Sequence, residues 1–241
     1  MALGLHRPCT RICKTYTKEM KRTLAVYGIA YLVLLMIVFG LQFVYPKLEL
    51  HLLLNSHHSG IQDTFFKYYS MMAEGPIYVL ALLPLLWKKI KLTIFFALCE
   101  LTGGGVLQIL KHTFSSDRPV SAFEHTQNMV LPLVQGVEMH HSNSFPSGHA
   151  STFFVFCTCL ALFLAYYYHQ KQPSRRTWIL INLSMLVLLV LAVLGAYSRI
   201  YLSQHFLSDV CMGSIIGFVT PLLVFYFGRK KFLKLKTNET K

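Results

Sequence analysis

The chain has 241 residues, of which 54% are hydrophobic and only 14% carry a charge. An ordinary soluble domain carries about 25% charged residues, so this composition excludes that class and indicates a protein embedded in a lipid bilayer. The formal net charge of +13 does not indicate a nucleic acid partner, because the basic residues cluster between apolar segments, as they do in membrane proteins.

Six apolar segments each approach the roughly 20 residues that a helix needs to cross a bilayer. They are Leu24–Tyr45, about Tyr68–Trp87, Leu92–Leu110, Gly148–Tyr168, Thr177–Ser198 and Val210–Gly228. We therefore predict an all-α, polytopic membrane protein with six transmembrane helices and short interfacial helices in its outward-facing loops. We expect one membrane domain over residues 1–241, with a basic N-terminus at 1–23, a six-span core at 24–228 and a basic tail at 229–241.

The basic residues predict the orientation of this bundle. With six spans, 18 of the 23 Lys and Arg residues fall on the side that holds both termini, which the positive-inside rule identifies as the cytoplasm. The other five lie outside, at Lys47, Lys67, Lys111, Arg118 and Arg199. The first apolar segment exceeds the roughly 7 to 15 apolar residues of a signal peptide, so we expect it to remain as a signal anchor.

Two long connections face outward in this topology. Residues 46–67 mix leucines and aromatic residues with histidines, which is typical of helices in the membrane interface. This segment would form either a lid or lipid-entry wall, or a piece of chain packed across the bundle. Residues 111–147 are polar enough to meet a hydrated lipid headgroup, and binding residues concentrate on such loops.

Three polar clusters lie at the outer ends of predicted spans and therefore share one membrane surface. They are Lys111–Pro119, Phe145–His149 and Ser198–Asp209. Lys111 and Arg118 are seven residues apart, so they would share a helix face if the third span continued to Pro119. With Arg199 they would supply the charge to hold a dianion such as a phosphoryl group. The alternative for each cation is a long side chain that simply reaches the interface.

The other residues of these clusters indicate a helix start and a pair of histidines. Ser147 can cap the first turn and Gly148 permits close backbone approach, so free amides and the helix dipole would favour an anion there. On a helix, the Asp209 carboxylate would reach His205, four residues away, and leave the other imidazole nitrogen free as a nucleophile. The second histidine, His149, could then donate a proton to the leaving group.

From Lys111 to Asp209, the chain resembles the tripartite signature of the type 2 phosphatidic acid phosphatase superfamily: Lys-x6-Arg-Pro, Pro-Ser-Gly-His and Ser-Arg-x5-His-x3-Asp. The resemblance implies hydrolysis of a phosphate monoester or diphosphate on a membrane lipid, through a phosphohistidine and without a metal or other cofactor. The residues implied to bind the phosphoryl group are Lys111, Arg118, Ser147, Gly148 and Arg199. Those implied to catalyse the reaction are His205 as nucleophile, His149 as general acid and Asp209, which orients His205.

Two acidic residues inside predicted spans, Glu74 and Glu100, fall outside this signature. Their roles stay open between a structural hydrogen bond among helices and contact with the substrate or its access route. The histidine pairs of the outer loops, such as His57 with His58, are expected to be solvated and not to bind metal. No nucleic acid or obligate protein partner is indicated; the expected partners are the bilayer and a phosphorylated lipid.

The identity of that lipid stays open, because the signature binds only the phosphate that all candidate lipids share. The resemblance implies an envelope lipid of a bacterial inner membrane, such as undecaprenyl diphosphate or lipid A, at an active site facing the periplasm or exterior. Phosphatidylglycerophosphate and phosphatidic acid are alternatives. Two other classes remain: a vanadium haloperoxidase, which shares this phosphate pocket, and a non-catalytic lipid-phosphate binder or transporter, which we would expect to lack a catalytic residue.

Overall fold

The computed structural model describes residues 9–126, 129–169 and 174–232, and within these ranges the chain is folded into α-helices without strands. The helices are α1 (Cys9–Val44), α2 (Lys47–Leu54), α3 (Gly60–Met71), α4 (Gly75–Lys88), α5 (Ile90–Thr113), α6 (Pro119–Glu124), α7 (Gly148–His169), α8 (Arg175–Tyr201) and α9 (Leu207–Phe232). Residues 1–8 of the predicted basic N-terminus and residues 233–241 of the predicted basic tail lie outside the described residues, as do residues 170–173 of a predicted cytoplasmic loop. The all-α prediction is confirmed.

Five helices of the described chain are long and apolar enough to cross a membrane. They contain Arg22–Val44, Ile90–Thr113, Gly148–Tyr166, Arg175–Tyr201 and Leu207–Gly228, which correspond to the first and the last four predicted spans. Large apolar side chains such as Phe43 and Leu101 are exposed on their outer faces, as expected where helices contact lipid tails. The chain is an integral membrane protein.

The second predicted span, about Tyr68–Trp87, is not a single helix. α3 ends at Met71 and α4 begins only at Gly75, because Pro76 lacks the N–H that a continuing helix would use. With 14 residues, α4 is about 21 Å long and does not cover the roughly 30 Å hydrocarbon core. It still connects the two ends of the bundle, since α3 contacts the C-terminal end of α8 while α5 begins at the opposite end.

α7 is the central helix of the bundle and packs against α1, α5, α8 and α9. Two glycines of α9 allow its closest approach. A Cβ atom at Gly213 would lie 2.3 Å from the carbonyl oxygen of Ser147, and one at Gly217 would lie 2.3 Å from that of Ser151. Small residues four apart permit such backbone contact between membrane helices. The start of α7 is therefore held directly against the second and third turns of α9.

One end of the bundle collects the termini of several helices. α5 and α8 finish there, α7 and α9 begin there, and α2 and α3 lie across it. The ring of Phe66 from α3 packs on the ring of Tyr201 from α8, with centroids 4.5 Å apart. All three polar clusters predicted from the sequence fall at this end.

Candidate active site

The first cluster is built from the end of α5 and the loop that follows it. α5 ends at Thr113, so the helix does not continue to Pro119 and the condition for a shared helix face is not met. Lys111 stays on the last turn of α5, whereas Arg118 belongs to a loop that leads into α6. The two cations still lie close enough to interact electrostatically, but the loop brings them together, not a shared helix face.

The Arg118 guanidinium points back into the protein and is only 8% exposed. Its Nε donates to the Ser142 carbonyl at 2.9 Å, and its Nη1 donates to the backbone and side-chain oxygens of Gln204 at 3.2 and 3.1 Å. Burial lowers the pKa of Arg118 from its ordinary value, and the charge of Asp209 opposes this effect. Gln204, which the sequence analysis did not single out, therefore fixes one of the predicted phosphate-binding residues.

The second cluster forms the first turn of α7, which begins at Gly148, where the sequence predicts a helix start. Ser147 is fully buried, and its Oγ accepts a hydrogen bond of 3.4 Å from the amide of Ala150. The Ser147 amide donates to the carbonyl of Asp209 at 3.0 Å. The positive ends of the α7 and α9 dipoles therefore lie side by side, an arrangement that favours binding of an anion.

The third cluster is a tight loop between α8 and α9. The amides of Gln204 and His205 both donate to the carbonyl of Arg199, at 2.9 and 3.1 Å. Ser203 has a φ of 52°, the left-handed conformation that reverses the chain here. His205 thus precedes α9, so the prediction that His205 and Asp209 share a helix is wrong.

Asp209 nevertheless reaches His205 from the third residue of α9. Its Oδ2 accepts a hydrogen bond from the amide of Phe206 at 3.0 Å, which caps the helix, and lies 3.8 Å from Nδ1 of His205. The hydroxyl of Ser144 donates to the same Oδ2 at 2.5 Å and lies 3.4 Å from His205 Nδ1. The Nδ1 side of the ring is therefore occupied by protein, which leaves Nε2 for a ligand.

The environment of His205 keeps its imidazole neutral. The residue is 2% exposed, and burial lowers its pKa to about 4; Asp209 opposes the shift, while Arg118 and Arg199 add to it. At pH 7 the ring carries no charge, which is the form that can attack phosphorus.

Arg199 has an unusual set of contacts for a buried guanidinium. It is 8% exposed, and its Nη1 donates a short hydrogen bond to Oγ of Ser70 on α3. Its Nε is buried and has no hydrogen-bond partner among the described residues. Such a donor is costly unless a ligand accepts from it, so this unpaired N–H indicates an oxygen-rich ligand at the site.

Lys111, Arg118 and Arg199, together called the cation cluster below, interact electrostatically with one another. All three charges also act on His149, as does the ring of His205. Two negative charges oppose this group: Asp209, which acts on Lys111, and Glu74, which acts on Arg199. The excess of positive charge favours a bound phosphoryl dianion over the alternative in which these side chains merely reach the membrane interface.

The two acidic residues of uncertain role lie in different places. Glu74 is exposed in the turn between α3 and α4, near enough to interact electrostatically with Arg199. Glu100 lies in the middle of α5, and its Oε1 accepts a hydrogen bond of 2.6 Å from Thr152 on α7, while its buried Oε2 has no partner in the part of the chain that the structure describes. This contact between helices favours a structural role for Glu100.

The histidines of the outer loops make ordinary polar contacts. His58 lies 3.0 Å from Asp63, and His141 lies 3.9 Å from Glu124. Across residues 9–126, 129–169 and 174–232, no group of three or more His, Cys, Asp or Glu side chains is arranged to hold a metal ion.

The fold and the site define a class of protein: a polytopic, helical membrane protein with a candidate active site, lined by histidines and cations, at one end of its bundle. The family model of the PAP2 superfamily matches residues 92–233, which is more than half of the chain and includes all three clusters. The chain belongs to the PAP2 superfamily, and the resemblance stated from the sequence is confirmed.

Individual relatives agree with this assignment. A putative phosphatidate phosphatase of Drosophila melanogaster is 35% identical over 96 residues, which cover 39% of this chain but only 24% of that protein. The crystal structure of Aquifex aeolicus LpxE covers 76% of this chain and 97% of its own, with a TM-score of 0.57 and 22% identity. That of a transmembrane PAP2-type phosphatidylglycerolphosphate phosphatase from Bacillus subtilis covers 86% and 98%, with a TM-score of 0.57 and 17% identity. These two structures show that the fold is shared.

Proposed function

We propose that this chain is a lipid phosphatase, a hydrolase that releases phosphate from a membrane lipid through a phosphohistidine on His205. The observation that supports this most directly is the buried, neutral imidazole of His205, held by Asp209 and Ser144 beside the cation cluster. A phosphoryl group drawn to those cations would lie against an unprotonated nitrogen. Nucleophile, orienting carboxylate and charge stabilisation are thus all present in one site.

In the first step, Nε2 of His205 attacks phosphorus, and the N–P bond forms as the bond from phosphorus to the lipid oxygen breaks. The negative charges of the bound phosphoryl group offset the cations that act on His149, so that His149 binds a proton before the step. It donates this proton to the lipid oxygen, and the lipid leaves as an alcohol, or as a lipid monophosphate when the substrate is a diphosphate. The positive charge that develops on the imidazole is stabilised by Asp209. The cation cluster, assisted by Ser147 and the amide of Gly148, stabilises the charge on the other phosphoryl oxygens.

In the second step, water attacks phosphorus, gives a proton to His149 and displaces Nε2 of His205. Inorganic phosphate is released, and both histidines return to their starting protonation states. The cation cluster supplies the charge stabilisation that divalent metal ions provide in other phosphoryl-transfer sites. The reaction therefore requires no metal ion or other cofactor.

The substrate is a lipid whose phosphate is presented at the membrane surface, since the site lies where α5 and α8 end and α7 and α9 begin. With 18 of the 23 basic residues on the other side, that surface faces the periplasm or exterior of a bacterial inner membrane, and both termini are cytoplasmic. Envelope lipids such as undecaprenyl diphosphate and lipid A are the first candidates. Phosphatidic acid and phosphatidylglycerophosphate are the alternatives, and the names of two similar proteins support them.

Phosphate release from a panel of these four lipids tests the proposal. The full chain, purified in detergent micelles, should hydrolyse at least one of them in the presence of a chelator. His205→Ala should reduce the rate at least about 10³-fold, as loss of a nucleophile does in other enzymes. His57→Ala is the matched control, because His57 is exposed and its ring is hydrogen-bonded to the neighbouring Ser56. A chain that binds these lipids without releasing phosphate would instead be a lipid-phosphate binder.

A further inference from the structure

The outer segment, defined as α2, α3 and the loop between them (residues 47–71), lies against the loop that carries His205. From the sequence, this part of the chain could be a movable lid or a piece packed across the bundle. Its contacts with the described residues are those of a packed element: Leu50, His51, Phe66 and Ser70 are buried.

Asn55, just after α2, is fully buried and contacts Ser203 in the loop that carries His205. Its Nδ2 donates to Oγ of Ser203 at 2.6 Å and to the carbonyl of Pro132 at 3.4 Å. Ser203 Oγ in turn donates to the same carbonyl at 3.1 Å. Nε2 of His51 lies 3.4 Å from Ser203 Oγ. The Ser203 hydroxyl is therefore fixed from three directions.

A second chain of hydrogen bonds runs from Asn55 back to the end of α8. Oδ1 of Asn55 lies 2.7 Å from Nε2 of His58, whose Nδ1 lies 3.0 Å from Asp63. Asp63 accepts a hydrogen bond of 2.5 Å from the Tyr201 hydroxyl. The hydrogen bond from Tyr201, together with the contact with His58, holds the pKa of Asp63 below its usual range. The outer segment thus holds the side chains of both Tyr201 and Ser203.

These two points lie inside the short stretch between Arg199 and His205. Ser203 has the left-handed φ of 52°, and the next two amides, of Gln204 and His205, both donate to the Arg199 carbonyl. A conformation of this kind persists only where the surroundings hold it. A shift of Ser203 would therefore pass directly to the imidazole two residues later.

We propose that Asn55 is a positioning residue for the nucleophile: through Ser203 it sets where the His205 imidazole lies relative to the cation cluster. The outer segment is accordingly a fixed brace of the active site and does not open as a lid during turnover. This inference rests on the proposed function, because it assigns His205 as the group whose position matters.

Three variants of the full chain test this role. Asn55→Ala removes both hydrogen bonds that reach Ser203 and Pro132. Ser203→Gly removes the same contact from the other side, and glycine accepts a positive φ without strain, which protects against a trivial folding failure. Ser56→Ala is the control, because Ser56 neighbours Asn55 but is exposed and is hydrogen-bonded to the nearby Leu53 and His57.

Two inhibitors separate positioning from general damage. Orthovanadate can take a histidine nitrogen as its fifth ligand, so its affinity depends on where Nε2 of His205 lies. Inorganic phosphate needs only the cation cluster. For Asn55→Ala and Ser203→Gly we expect kcat to fall and the vanadate Ki to rise by about 10- to 100-fold, as for misplacements of about 1 Å. The phosphate Ki and KM should stay near those of Ser56→Ala, and the double variant should be no worse than either single one.

Unchanged kcat in Asn55→Ala and Ser203→Gly, or an equal loss of vanadate and phosphate binding, would overturn the positioning role. Strictly additive effects in the double variant would do so as well. Full activity in His205→Ala has a different meaning, because it would remove the proposed nucleophile itself. Normal Asn55→Ala turnover beside an inactive His205→Ala would leave the proposed function intact and reject only the brace.

Discussion

Gly213→Ala probes the direct contact between the start of α7 and the second turn of α9. The added Cβ would lie 2.3 Å from the Ser147 carbonyl oxygen, whereas ordinary contacts begin at 3.4 Å, so the two backbones must separate by 3.4 − 2.3 = 1.1 Å. Overpacking of this kind costs about 1 to 3 kcal/mol. The same shift pulls the Ser147 amide from the Asp209 carbonyl, and a misplacement of about 1 Å lowers kcat/KM by about 100-fold.

The assay compares Gly213→Ala with Gly104→Ala, a glycine of α5 where an added Cβ meets nothing within 4 Å. Both changes add one methyl group to a membrane helix, so they differ only in the contact. We expect phosphate release and the thermal unfolding midpoint in detergent to drop in Gly213→Ala and to hold in Gly104→Ala. Equal activity and equal midpoints in the two variants would refute the argument that the close approach of α7 and α9 builds the site.

Three further results are expected. Ser70→Ala removes the acceptor of the Arg199 guanidinium, so the Ki for inorganic phosphate should rise about 10-fold, as for loss of a hydrogen bond to a charged group; a Ki equal to that of Ser56→Ala would contradict this. Thr152→Val leaves Glu100 without its donor and should reduce the unfolding free energy by about 1 to 3 kcal/mol while kcat/KM holds, and a loss of activity without a loss of stability would instead give Glu100 a role in turnover. A histidine NMR titration, with His205→Asn to identify the resonance, should show His205 protonating only as the pH falls through about 4. Because the unfolded chain takes up this proton already near pH 6.5, stability should also decline as the pH falls between those two values. A folded-state pKa at or above 6.5 would rule out this picture of a buried, neutral imidazole.

Hydropathy predicted most of the fold, because a bilayer-spanning helix must be long and apolar whatever it packs against. It failed around Glu74 and Pro76, since an average over a window of residues does not register a local helix break. Composition predicted that short helices lie in the outer loops, but it did not predict where they begin and end. Their docking onto the end of α8 depends on contacts between residues far apart in sequence, such as Asn55 with Ser203.

The candidate site could be predicted residue by residue only where spacing and residue type carry the chemistry. The spacing of four residues, about one helical turn, predicts that His205 and Asp209 interact on a helix, yet a loop and a helix cap bring them together. Ser144 and Gln204 carry no comparable signal: each acts on a residue more than 60 positions away. Their hydrogen bonds become visible only when the folded chain brings those segments together.

The central claim is that phosphate passes through a covalent bond to His205. Rapid mixing of the detergent-solubilised chain with a ³²P-labelled lipid phosphate, followed by an alkaline quench that preserves phosphohistidine, tests it most directly. We predict radioactive label on the peptide that contains His205, formed and lost at rates that account for turnover, and none in His205→Asn. Label on another residue, or turnover by His205→Asn at the wild-type rate, would contradict the account.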